Sequence, residues 1–188
     1  MDISVVKDHI HFLEQKAIRL PVYHYLKDIW LENDRTEDLA VLAMQQMVFY
    51  LIELESPWTV WEDEDEHQTY QVFLQEVLEY GFEHFIHGKK FMWNLCYYLR
   101  SIGTYHFILG KQIPLGSEKF LLHKLLSSAR ELYPTSVLFD IIPLVQDGDP
   151  LWKEGISDEV KKSIVAEVDE WKLRDNMVDE DMRELFGI

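Results

Sequence analysis

The chain has 188 residues, of which 47% are hydrophobic and 13% aromatic, so it can bury a substantial core and is too apolar to be disordered. Eight glycines and six prolines are few for an all-β protein, which turns about every ten residues. The formal net charge of −16 argues against nucleic acid and anionic membranes as partners, since both are bound mainly through lysine and arginine.

Apolar residues recur at helical spacing along almost the whole chain, and no stretch keeps the alternation of a strand. Pro21 and Pro57 are expected to end the first and third helices. Asp34 and Glu37 have the spacing of a capping box before the third helix. The predicted helices cover residues 5–19, 22–32, 36–54, 91–109, 117–133, 136–145 and about 157–173, with one between the acidic run 62–66 and Gly88 and a short one at 179–186.

Two predicted helices, 36–54 and 91–109, are apolar on nearly every side, as helices in the centre of a bundle are. No change of composition and no low-complexity stretch divides the chain. We therefore predict an all-α fold, a single compact bundle of about eight helices, that forms one domain over residues 1–188.

Charge is distributed unevenly. Residues 36–88 contain 12 Asp or Glu and no Lys or Arg, whereas residues 89–139 contain seven Lys or Arg and two acids. Solvated helices usually mix both signs, since opposite charges one turn apart contribute about 0.2–0.5 kcal/mol per pair. A surface of one sign repels itself, so a cationic partner that offsets it would explain the pattern.

The acidic stretch is also compatible with two roles that need no partner. An excess of charge keeps a protein in solution without binding anything. Alternatively, cations of the same chain neutralise the acids across a helix interface, and the candidates are Lys89, Lys90, Lys111 and Lys119.

Trp58 and Trp61 lie between a helix end and the acidic run 62–66. Buried, they would anchor the core, whereas exposed tryptophans ringed by acids would anchor a partner. The predicted partner-binding residues combine these tryptophans with the acids around them: Glu53, Glu55, Trp58, Trp61, Glu62, Asp63, Glu64, Asp65, Glu66, Glu76, Glu79 and Glu83.

Motifs for catalysis are sparse. Glu64 and His67 have the Glu-x-x-His spacing of carboxylate metal sites, which need a second such pair and two further glutamates. The acids Asp147 and Asp149 fit a turn. No glycine-rich phosphate loop and no nucleophile elbow is present. We predict no metal, no cofactor, no small-molecule substrate and no enzymatic activity, with a metal-dependent carboxylate enzyme as the alternative.

Cys96 is the single cysteine, so the chain forms no intramolecular disulfide, and in an apolar helix its thiol is expected to be buried and inert. The first residues carry acids and histidines where a signal peptide has a basic start and an apolar run. No stretch reaches the roughly 18 apolar residues of a membrane span. We expect a cytoplasmic protein.

The segment 91–139 resembles a tetratricopeptide helix pair at Trp93, Tyr98, Gly103, Ala129 and Pro134. Its connecting loop is longer than in that repeat, and no second copy follows. The alternative function is a scaffold or adaptor that holds a peptide or protein partner between its helices, which an internal repeat would have supported.

The same segment also resembles small helical immunity proteins of bacterial toxin systems, including contact-dependent growth inhibition, in the runs WNLCYYLRSIGTYHFILG and KLLSSARELYPTS. This resemblance implies a cytoplasmic protein that binds a cognate toxin domain, often a basic nuclease, and blocks its active site. The acidic surface would then replace the phosphates of the nucleic acid. The predicted function is therefore an immunity protein that binds a basic toxin domain.

Overall fold

The computed structural model describes residues 2–15, 19–54, 65–101, 118–144 and 156–170. Within these ranges the chain forms eight α-helices and no strand, so the all-α prediction is confirmed. The helices are α1 (Ile3–Glu14), α2 (Leu20–Glu32), α3 (Glu37–Leu54), α4 (Glu66–His84), α5 (Lys89–Ser101), α6 (Glu118–Leu132), α7 (Leu138–Ile141) with a 3₁₀ turn at Ile142–Leu144, and α8 (Asp158–Glu170). The predicted turn at Asp147 and the predicted helix 179–186 lie outside the described residues.

Two predicted helix ends are wrong. Pro21 does not stop a helix, because α1 ends at Glu14 and Pro21 lies in the first turn of α2, where a missing N–H costs no hydrogen bond. Asp34 does not cap α3, because the Thr36 hydroxyl accepts a hydrogen bond from the Leu39 N–H at 3.2 Å. Thr36 is thus the N-cap residue, two positions later than the spacing suggests.

The chain divides into two compact units, Met1–Glu83 and His84–Ile188. The first contains α1 to α3 and almost all of α4, and the second contains α5 to α8. The expectation that residues 1–188 form one domain stays a prediction.

In the first unit, α3 is central, as its sequence predicts. Every residue from Leu39 to Val48 is buried, including two glutamines, whereas α1, α2 and α4 each bury one face. Trp30 of α2 is fully buried and meets Phe73 and Tyr80 of α4 edge to face. The buried apolar residues of α4 follow at helical spacing: Tyr70, Phe73, Leu74, Val77, Leu78 and Gly81.

In the second unit, α5 is buried along its whole middle, from Phe91 to Leu99, which confirms the prediction over the described part of that helix. The Trp93 indole donates to the backbone oxygen of Leu138 at 3.0 Å and so connects α5 to α7. Helix α5 also packs against α6. The connection between these helices lies outside the described residues, and the tetratricopeptide-like pair stays a prediction.

Candidate protein-binding surface

Glu66, in the first turn of α4, is not on the surface. Its side chain is fully buried, and Arg19 binds it in two places, Nε to Oε1 at 2.7 Å and Nη2 to Oε2 at 3.2 Å. Tyr70, one turn later, donates its hydroxyl to Oε1 at 2.8 Å. The expectation that Glu66 contacts a partner is therefore wrong, because its charge is matched inside the protein.

Glu76 of α4 also makes its contacts inside the first unit. Its Oε1 accepts the Trp30 indole N–H at 3.0 Å and lies 3.8 Å from Nη2 of Arg35, while Oε2 pairs with Lys27. About a third of the side chain is exposed, but its oxygens face cations and a donor of the α2 region. Glu76 therefore does not belong to the acidic surface.

The remaining described acids of the predicted set have exposed or partly exposed side chains. Asp65, Glu79 and Glu83 are exposed, and Glu79 accepts a hydrogen bond from Gln75 at 3.2 Å. The Glu53 side chain is 40% exposed, with Oε1 3.6 Å from Nη1 of Arg19. The rest of the set lies outside the described residues: Glu55, Trp58, Trp61, Glu62, Asp63 and Glu64.

The charge of the chain is concentrated in the first unit. Residues 1–83 contain 18 Asp or Glu and five Lys or Arg, a net −13, whereas residues 84–188 contain 16 acids and 13 cations, a net −3. Three of the five cations, Arg19, Lys27 and Arg35, bind Glu66, Glu53 and Glu76. The five cations are too few to offset most of the negative charge of this unit.

Among the candidate cations of the middle segment, Lys89 pairs with Glu167 of its own unit and Lys111 lies outside the described residues. Glu53, Glu66 and Glu76 of the first unit are instead matched by residues that precede α3. No sequence motif marks these pairs, since Arg19 and Glu66 are separated by 47 positions.

Aromatic rings and cations alternate where α2 and α4 meet. The Lys27 ammonium lies 4.8 Å from the centre of the Phe73 ring. The Arg35 guanidinium lies 4.9 Å from the ring centres of both Trp30 and Tyr80. Such contacts contribute about 0.5–2 kcal/mol each, depending on how far water is excluded. Each of these cations thus gains a ring as well as a carboxylate.

Next to this row an open groove of about 380 Å³ lies between the start of α2 and the first two turns of α4. The ring of Tyr23, one of its lining residues, contacts Tyr70 and Phe73. Burial raises the pKa of Tyr23, and the nearby carboxylates of Glu76 and Asp28 raise it further. The lining residues are Tyr23, Asp65, Gln68, Thr69 and Val72.

Cys96 is buried, and burial raises its pKa to about 12, so its thiolate, the nucleophilic form, is suppressed at neutral pH. Among the described residues, no three His, Cys, Asp or Glu side chains come together as a metal site requires. Glu64, half of the Glu-x-x-His pair, lies outside that part of the chain. In the same described part, every helix is too short or too polar to cross a bilayer.

Comparisons of the chain with protein-family models, with curated proteins and with solved structures found no match. The resemblance to immunity proteins therefore stays a prediction.

Proposed function

We propose that this chain is a non-enzymatic cytoplasmic protein that binds and neutralises a cationic protein domain, as the immunity proteins that it resembles do with basic toxins. The contact surface is the acidic first unit. Its described part consists of Asp65, Glu79 and Glu83, together with Glu53, which is 40% exposed although its Oε1 also lies 3.6 Å from Arg19. The two tryptophans and four further acids of the segment 55–64 are the remaining predicted contact residues.

The net charge of −13 on the first unit is the observation that carries this proposal. Among the described residues Arg19, Lys27 and Arg35 form internal ion pairs, and even pairing of all five cations leaves thirteen acids in excess. Repulsion among them costs stability, and a positively charged partner removes that cost on binding. Complementary charge also speeds association, because it steers the partner toward the surface.

The test uses the purified chain and the basic toxin domain encoded beside it, since an immunity gene normally follows the gene of its toxin. Calorimetry and stopped-flow mixing give the affinity and the association rate between about 50 and 300 mM salt. We expect a 1:1 complex whose association rate falls as salt rises. Absence of binding to that domain, or association that is independent of salt, contradicts the proposal.

A pair of charge-reversed variants locates the surface. Glu79→Lys with Glu83→Lys changes two exposed acids of α4, and Glu131→Lys with Glu159→Lys makes the same change of net charge in the second unit. The first pair is expected to slow association about tenfold or more and to flatten its salt dependence. Equal effects of the two pairs would show that only net charge matters and would remove the first unit as the contact surface.

A further inference from the structure

The groove beside Tyr23 combines an aromatic ring, an apolar side chain and an acid. The half-buried ring of Tyr23 lines it from α2, while Val72 and Asp65 line it from α4 and the residue before it. Val72 is 60% exposed, a large fraction for a valine, and Asp65 is exposed as well. Gln68 and Thr69 add polar atoms between them.

None of the five described lining residues is a cation, although neighbouring rings of the same helix pair each contact a cation. Lys27 lies over Phe73, and Arg35 lies against Trp30 and Tyr80. Tyr23 continues this row of rings, since it contacts Phe73 directly. The carboxylates of Glu76 and Asp28 are also close enough to act on its hydroxyl.

We propose, on the basis of the proposed function, that this groove takes an arginine side chain of the cationic partner. The groove would then be one point of contact between the two proteins. The aliphatic part of the arginine covers Val72, its planar guanidinium stacks on Tyr23, and its charge faces Asp65. Arginine fits better than lysine, because a guanidinium stacks on rings and is held less strongly by water. Glu62, Asp63 and Glu64 directly precede Asp65 in the sequence, and their charges add to the net negative charge of the first unit.

A short peptide tests the groove without the natural partner. Acetyl-Ala-Arg-Ala-amide is titrated into the full chain labelled with ¹⁵N and with ¹³C methyl groups, and the same peptide with neutral citrulline in place of arginine is the matched probe. We expect shifts of the Val72 methyls and of the Gln68 and Thr69 amides with arginine only. Equal shifts with citrulline, or arginine shifts that are spread over all acidic surfaces, overturn the proposal.

Two variants change the groove, one by filling it with a cation and the other by removing its acid, and a third variant is the control. Val72→Arg supplies a cation of the chain's own and is expected to weaken peptide binding about tenfold. Val5→Arg adds the same charge at a valine that is also 60% exposed but lies on α1, outside the groove lining, and is expected to change binding less than about twofold. Asp65→Asn keeps a side chain of nearly the same size before α4 and removes the charge, so it should weaken binding with the helix content unchanged. Equal losses in Val72→Arg and Val5→Arg overturn the proposal.

Different results would contradict the arginine groove and the proposed function. If the basic toxin domain binds and Val72→Arg leaves that complex unchanged, the acidic unit is the contact surface and the groove is not part of it. If the arginine peptide binds the groove but no basic domain binds the chain, the groove stands and the immunity function falls.

Discussion

Arg19 and Glu66 form a two-point ion pair in the interior of the first unit, with donor–acceptor distances of 2.7 and 3.2 Å. Arg19 precedes α2 and Glu66 begins α4, so the pair joins two segments that are 47 positions apart. Glu66 belongs to the most acidic run of the sequence, yet it is fully buried. One member of that run therefore stabilises the fold instead of contributing to the acidic surface.

Removing Glu66 is expected to destabilise the protein strongly. Glu66→Ala removes the buried carboxylate that binds the Arg19 guanidinium in two places, which costs about 3–5 kcal/mol in the free energy of unfolding. Urea denaturation followed by circular dichroism measures this. Glu79→Ala, at an exposed position of the same helix, should change the free energy by no more than about 0.5 kcal/mol. Similar losses in both variants would contradict the buried ion pair.

Glu76 supports a second prediction of this kind. Glu76→Ala deprives the buried indole of Trp30 of its acceptor and separates Lys27 and Arg35 from their shared carboxylate. The expected loss is about 1–3 kcal/mol, the usual cost of a buried donor left without a partner. The indole N–H signal of Trp30 should shift in the ¹H–¹⁵N spectrum at the same time. Glu32→Ala, at an exposed acid of α2, is the control, and an unchanged Trp30 signal in Glu76→Ala would refute the contact.

The helical fold is predictable from the sequence because apolar spacing reports directly which faces are buried. Helices α3 and α5 are apolar on nearly every side, and the structure places both in the core. Helix ends depend instead on single hydrogen bonds, and several side chains near each end can make them. Pro21 therefore has the character of a stop signal in the sequence, although it begins α2 in the structure.

The acidic site is predictable only in part, because a charge count does not say which carboxylates meet a cation. Glu66 and Glu76 look like their neighbours in the sequence, and only the fold brings Arg19, Lys27 and Arg35 to them. Nothing in the sequence around Tyr23 distinguishes it from a core aromatic. The excess of acids in the first unit, by contrast, follows from sequence alone once its boundary at residue 83 is known.

The cap of α3 can be tested at two neighbouring positions. Thr36→Ala removes the hydroxyl that accepts from Leu39 and should lower the free energy of unfolding by about 1 kcal/mol. Asp34→Ala changes an exposed residue outside the helix and should cost less than about 0.5 kcal/mol. Thermal and urea unfolding of both variants decide between them. A larger loss at Asp34 would restore the capping box that the sequence predicts.

Burial of Cys96 predicts how stability depends on pH. Its pKa rises from the ordinary value of 9.0 to about 12, so the unfolded chain releases the thiol proton at lower pH than the folded chain does. The stabilisation from this difference is complete below about pH 9 and is lost as pH rises toward 12. Between about pH 9 and 10.5, the free energy of unfolding of the native sequence should fall more steeply than that of Cys96→Ala, by up to about 1.4 kcal/mol per pH unit.

Comparing slopes rather than absolute values removes the cost of the cavity that alanine leaves. Parallel slopes, or rapid reaction of the folded chain with a thiol reagent at about pH 8, would show that the thiol is not held in the core.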